Sequence, residues 1–199
     1  SFTIAAQTNE LEVNVWDING TGTSNVDTAK FKIQTPGVLN IPYTDDFEGV
    51  LNWSPSSSFW LNGGINPNGW QVVVPNYGVI TPTTAGSNAW ALGFNSGYGD
   101  SLLTYLYSPV FNFAASGINS IWLHFTANAN LASNDSLTVE YTTDFLTWTQ
   151  LPAAVTITGN NGGWWGYGTG LSFLASEPQV QFRFVFNSDN SGTADGIAI

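Results

Sequence analysis

The sequence predicts an all-β chain. Three observations carry this reading: apolar residues recur at every second position in one segment after another, Gly, Pro, Asn and Asp separate those segments, and no stretch holds a convincing helical period. Many strands without helices favour two packed sheets, a β-sandwich or jelly roll. At 199 residues the chain is long enough to bury a sizeable core.

In the first segment Phe2, Ile4 and Ala6, then Leu11, Val13 and Val15, then Ala29, Phe31 and Ile33 each take one face. Pairing the last two runs so that Leu11 meets Ile33, Val13 meets Phe31 and Val15 meets Ala29 also sets Glu12 opposite Lys32. The intervening DINGTGTSNVD is a long loop of turn residues. After Gln34, Pro36, Gly37 and Pro42 interrupt the alternation and mark a boundary before Tyr43. A short β unit, residues 1–37, thus precedes a larger one, residues 43–199.

In the larger unit the expected strands are WQVVV (70–74), NAWALGFN (88–95), SLLTYLYSPVF (101–111), SIWLHFTAN (120–128), SLTVEYTT (136–143) and QVQFRFVFNS (179–188). The last is the clearest, with Val180, Phe182, Phe184 and Phe186 on one face and Gln179, Gln181 and Arg183 on the other. DSLTVEYTTDFLTWTQLP (135–152) reads as strand, turn and strand. Leu137, Val139 and Tyr141 point inward there, while Ser136, Thr138, Glu140 and Thr142 form a polar outer face. Glu140 is placed to pair across the sheet with Arg183, the only arginine.

The formal net charge is −11, from 14 acidic residues against 3 basic ones. Such a surface repels phosphate, so the chain is not expected to bind nucleic acid or an anionic membrane. Charged residues make up only 9% of the chain, so solubility rests on Asn, Ser, Thr and Gly. Without cysteine there are no disulfides, thiolate nucleophiles or Cys-type zinc sites. No apolar run approaches the roughly 20 residues of a membrane helix, so no membrane insertion is expected. SFTIAAQTNE lacks the charged start and cleavage site of a signal peptide.

Catalytic chemistry finds little support. His124, the only histidine, lies on the strand face opposite Ile121, Leu123 and Phe125, and no nucleophile motif accompanies it. It reads as a surface or sheet-packing residue, and the chain as no enzyme. Asp45, Asp46, Glu48, Asp100 and Asp195 are the carboxylate clusters available for such chemistry. A carboxylate pair across a sugar-sized cleft would hydrolyse glycosides, several oxygen ligands would hold a hard cation, and acids in turns also serve solubility alone. NNGGWWGYGTG offers Trp164, Trp165 and Tyr167, which cannot all point inward if the backbone is extended. With Trp53 and Trp60 they are candidate stacking platforms for sugar rings, against a general tendency of such residues to be core.

The order DDFEG (45–49), GW (69–70), YLYSPVFNF (105–113), IWLHFTANA (121–129), DSLTVEYTTDFLTWTQL (135–151) and VQFRFVFNSDNSGTADGIAI (180–199) resembles a MAM-type jelly roll. It is the variety carried as an accessory module by bacterial secreted and cell-surface proteins. The leading 37 residues resemble the last strands of an immunoglobulin-like module. Animal MAM domains carry paired cysteines, which this chain lacks, so nothing that depends on them is carried over. In the bacterial relatives the closing strand runs on past the position of Ile199, so both ends read as cut from a longer protein.

The resemblance implies a structural Ca2+ between the opening and closing strands, with Asp46, Glu48 and Asp195 as the best-matching ligands and Asp100 or Asp45 as additions. It also implies O-glycosylation at Asp-Ser/Thr-apolar tripeptides, here at Thr28, Ser101 and Ser136. Asn-x-Ser/Thr acceptors stand at Asn19, Asn52 and Asn134. The expected function is that of a non-catalytic extracellular module at a bacterial cell surface, adhesive or a spacer. Its expected partners are neighbouring β modules of the same long chain, glycans or surface proteins. The alternative is a carbohydrate-binding module serving an attached hydrolase or protease.

Overall fold

The computed structural model describes residues 11–15, 27–31, 38–49, 52–55, 69–83 and 87–199. No helix among them is long and apolar enough to cross a membrane. The chain divides into two compact units, Ser1–Gly37 and Val38–Ile199.

In the first unit β1 (Leu11–Val15) pairs antiparallel with β2 (Asp27–Phe31), setting Leu11 opposite Phe31, Val13 opposite Ala29 and Glu12 opposite Lys30. This register is two residues away from the expected one, which placed Leu11 against Ile33 and Glu12 against Lys32. A two-residue slip keeps every residue on its face and exchanges one lysine for another opposite Glu12. Alternation therefore cannot distinguish the two registers. The expected strand at Phe2 to Ala6 lies outside the described residues.

The second unit is a β-sandwich. One sheet has seven strands: β3 (Leu39–Asn40), β4 (Ser54–Pro55), β7 (Leu103–Asn112), β9 (Ser136–Thr142), β10 (Thr149–Gln150), β11 (Ile157–Thr158) and β13 (Val180–Asn187). The other has five, in the order β12 (Trp165–Gly170), β8 (Trp122–Asn130), β14 (Gly196–Ala198), β6 (Ala89–Leu92) and β5 (Gln71–Val73). The six expected strands appear within a few residues of their predicted bounds. The two-residue strands β3, β4 and β11 are not among them, nor are β12 and β14, where Gly166, Gly168 and Gly170 in one and Gly196 in the other read as turn signals.

Each glycine strand has a steric reason. A side chain at Gly166 would come within 3.1 Å of His124 Nε2, so the imidazole lies against bare backbone. At Gly196, where φ is +126°, a Cβ would fall 2.0 Å from the Leu92 carbonyl oxygen. Between them Tyr167 and Thr169 keep the inward alternation, with Tyr167 stacked on Phe125 at 5.5 Å.

The core lies between the sheets. Leu137, Val139, Val180 and Phe186 from the seven-stranded sheet meet Ala127, Ala129 and Ile197 from the other. Each fully buried Leu, Ile or Phe contributes about 1.5–3 kcal/mol of transfer free energy. Pro109 sits inside β7, where it has no N–H to give the ladder. The pairing of β7 with β13 shifts register beside it, and the buried Ser108 hydroxyl accepts the Phe182 N–H at 2.9 Å.

Thr142 is not part of the polar outer face. It is buried, and its hydroxyl donates to Asp144 at 2.9 Å and accepts from the Phe145 amide at 2.9 Å, closing the turn after β9. The amides of Leu146 and Thr147 also donate to Asp144 Oδ1. These amides, with the Thr142 hydroxyl, hold the Asp144 carboxyl down at about 2.

Candidate functional site

Of the described aromatic residues expected to offer a stacking platform, only Trp165 is well exposed, at 62%. Trp164 is half-buried: its indole N–H donates to the Thr81 carbonyl, and its ring packs on a small apolar cluster of Ile80, Ala89, Ala91 and Ala198. Tyr167 faces the core, with its hydroxyl accepting from Asn161. Trp164 lies on the opposite side of the chain from Trp165 and Tyr167, and Tyr167 is turned into the core against Phe125, so the three rings form no common shelf. Trp53 stacks on Phe184 at 5.5 Å, and Trp60 lies outside the described residues.

The structure does not bring Asp46, Glu48, Asp100 and Asp195 into one cluster. Among the described residues no group of three or more acidic or histidine side chains stands close enough to hold a metal ion. Asp45, Asp46, Glu48 and Asp195 each find their own partners instead. Asp46 caps the Glu48 amide, Glu48 accepts both amide groups of Asn88, and Asp45 accepts from Phe47 and the Tyr43 hydroxyl. Asp195 accepts from Val79 and Asn130 and fills the space above Gly78, where a Cβ would lie 2.1 Å from its carboxylate. Asp100 is exposed.

His124 is exposed on β8 and lies across Gly166 and Gly168, with no hydrogen-bond partner among the described residues. Among the described residues no carboxylate orients it and no hydroxyl reaches it, so they form no triad-like arrangement there.

Of the acceptor tripeptides, Ser101 is exposed, in a left-handed turn with φ of +54°. Ser136 is half-buried at the start of β9 between β11 and β13, and its neighbours Asp135 and Leu137 are fully buried. Thr28 stands in β2 opposite Asn14. Asn52 and Asn134 are exposed, and Asn19 lies outside the described residues.

Two features went unread in the sequence. The first is on the outer face of the seven-stranded sheet. Arg183 pairs with Glu140 as expected, Nε and Nη2 reaching Oε2 at 2.7 and 2.5 Å. Its guanidinium also lies 4.5 Å from the Tyr105 ring and 4.2 Å from the Trp148 ring, with Tyr107 5.7 Å from Trp148. The turn that delivers Trp148 carries Phe145 and Leu146 at its tip, and Leu146 is 86% exposed. The spacing of Tyr105 and Tyr107, two apart on one strand, carried a signal for this face. Trp148 carried none, since its approach depends on how the hairpin folds back.

The second is an apolar cleft of about 370 Å3 between the sheets. It is lined by Phe111, Phe182 and Phe184, by residues of the Ile41–Phe47 segment, by β8 from Trp122 to Thr126 and by Ile199. Burial, with the Asp45 carboxylate beside it, pushes the Tyr43 hydroxyl in this lining up to about 12.

No family model matches the chain, and no curated protein matches it.

Proposed function

We propose that the chain is a non-catalytic module of a secreted or cell-surface protein, of jelly-roll type, that works by surface contact in adhesion. Its contact face is the outer side of the seven-stranded sheet. The observation that carries this is the grouping of Tyr105, Tyr107, Trp148 and Arg183 beside the exposed hairpin tip of Phe145 and Leu146. Aromatic residues and arginine are the side chains enriched where proteins meet, and an exposed apolar tip beside them extends that contact feature. The acidic, Asn- and Thr-rich surface and the order of sequence blocks support the location and the module type. Neighbouring β modules of a longer chain would present this face.

A second reading, carbohydrate binding, is favoured by the same rings, which lie beside the hydrogen-bonding groups of Arg183, Glu140 and Gln181. Beads coated with the protein, retained under flow on protein films or on cellulose, chitin and mannan films, separate the two. Adhesion predicts retention on a protein film that Trp148→Ala weakens at least about tenfold, since an anchor residue contributes about 2 kcal/mol or more. Retention on a polysaccharide film alone favours the glycan reading. Wild-type beads that hold on no film contradict both.

A further inference from the structure

The strand β12 stands at the end of the five-stranded sheet, and among the described residues no strand pairs with its outer edge. The Leu171 N–H donates to the Ile121 carbonyl at 2.7 Å, which fixes the phase of the ladder with β8. Antiparallel alternation therefore turns the peptide groups of Trp165, Tyr167 and Thr169 toward β8 and those of Gly166, Gly168 and Gly170 outward. The three glycine N–H groups find no acceptor among the described residues. Gly166 and Gly170 are exposed and Gly168 is half-buried. Natural sheets blunt such an edge with proline, a charge, a bulge or a very short strand. β12 has six residues, none of them proline or charged, and its register with β8 does not shift.

The surroundings are equally bare of charge. From Phe145 to Ser176 the sequence holds no Asp, Glu, Lys, Arg or His, although the chain carries a formal net charge of −11. Within that stretch Trp165 and Phe173 are exposed, as are Ala153 and Ala154 on the turn packed beside β12.

We propose that β12 is a homodimer seam, pairing antiparallel with β12 of a second copy about a two-fold axis at Gly168. The outward glycines are symmetric about that residue. Gly168 exchanges both peptide hydrogen bonds with its counterpart, and Gly166 and Gly170 exchange theirs with Gly170 and Gly166 of the second copy. Every outward N–H and C=O of the three glycines is thereby used, and the pairing closes at two copies. Glycine faces glycine on the outer side, so no side chains collide there. On the inner side Trp165 falls opposite Leu171 of the second copy at each end of the seam. Charge selects this occupant. Two chains of −11 repel wherever their carboxylates approach, and the stretch from Phe145 to Ser176 lets them meet without opposing like charges. A basic partner gains nothing from an edge that offers it no carboxylate. Six residues of edge cover less than the about 800 Å2 per partner of a standard interface, so the expected Kd is roughly 100 μM. The seam is separate from the contact face on the seven-stranded sheet and does not depend on it.

The test is sedimentation equilibrium of the full chain at concentrations up to about 1 mM, with amide exchange read by NMR at both ends of the range. A monomer–dimer equilibrium is expected, with the Gly166, Gly168 and Gly170 amides gaining protection in step with the dimer fraction. Gly170→Pro removes one outward donor and no bond to β8, at a position where a Cβ meets nothing within 4 Å. Trp165→Glu sets a carboxylate at each end of the seam. Each substitution is expected to weaken dimerisation at least about tenfold. A chain that stays monomeric at about 1 mM overturns the proposal. So do dimers that leave the three glycine amides unprotected, or protection of those amides that is the same at every concentration, whether or not either variant folds. A folded variant that dimerises as tightly as the wild type overturns it as well.

Discussion

The two halves of β8 carry the same strand pattern into different surroundings. At Asn128 to Asn130 both edges are held, by β14 on one side and by the Asn160 and Asn161 segment on the other. There Ala129, Ile197, Leu137 and Phe186 are fully buried. At Trp122 to Thr126 the β12 edge alone is paired among the described residues, Leu123 and Phe125 are half-buried, and the apolar cleft opens beside them. A strand's own alternation determines which face is apolar. Whether that face becomes core depends on the neighbour across each edge.

The closed end is also tied by polar groups. Asp135 is fully buried and accepts from the Tyr98 hydroxyl at 2.6 Å and the Asp189 amide at 2.8 Å, while that hydroxyl accepts the Ala132 amide. Tyr98 packs edge-on against Phe186 at 4.8 Å. Burial, reinforced by the carboxylate, pushes the Tyr98 hydroxyl well above its usual range.

The largest expected contrast is between Phe186→Ala and Phe125→Ala. The first leaves a cavity that closed packing cannot fill and is expected to cost about 3–5 kcal/mol in urea denaturation. The second widens a cleft that is already open and is expected to cost roughly half as much. Equal losses would break the comparison. Next in size, Asp135→Asn replaces one carboxylate oxygen by an amide donor facing the amide or hydroxyl it had accepted from. Its expected cost is about 1–3 kcal/mol, against less than about 0.5 kcal/mol for the exposed Asp100→Asn.

Alkaline titration sharpens the same contrast. Tyr43 at the open end has a hydroxyl raised from 10.0 to about 12, so its folded form holds the proton that the unfolded chain releases. Its contribution to stability is present below pH 10 and is lost as pH rises through about 12. Absorbance at 295 nm is expected to show Tyr43 ionising near that pH and Tyr98 later, with the Tyr43 step absent in Tyr43→Phe. The smallest effect is expected for Arg183→Lys, which weakens the ring stacking and the pair with Glu140 on the outer face. It is expected to cost about 1 kcal/mol, to shrink with added salt, and to leave both ends of the core intact.

The long strands β7, β9 and β13 of the seven-stranded sheet were legible because they are rich in apolar alternation, and β9 and β13 pair Glu140 with Arg183 as that alternation placed them. β12 was not, since three glycines hid a strand in which Gly166 and Gly168 lie against His124. The register of β1 and β2 was ambiguous because Lys30 and Lys32 share one face. The aromatic face needed Trp148 to fold back onto Tyr107, a contact between residues 41 positions apart. The cleft was invisible in sequence, because Leu123 and Phe125 read as core whether or not a strand lies beside them.

Residue-resolved hydrogen exchange along β8 tests the central contrast most directly. Amides of Leu123, Phe125 and Ala127, on the β12 edge, and of Asn128 and Asn130, beside β14, are expected to be protected. Those of Trp122, His124 and Thr126 are expected to exchange at least about a hundredfold faster. Uniform protection from Trp122 to Asn130 would contradict the account, because it would mean that the second edge of β8 is held along its whole length.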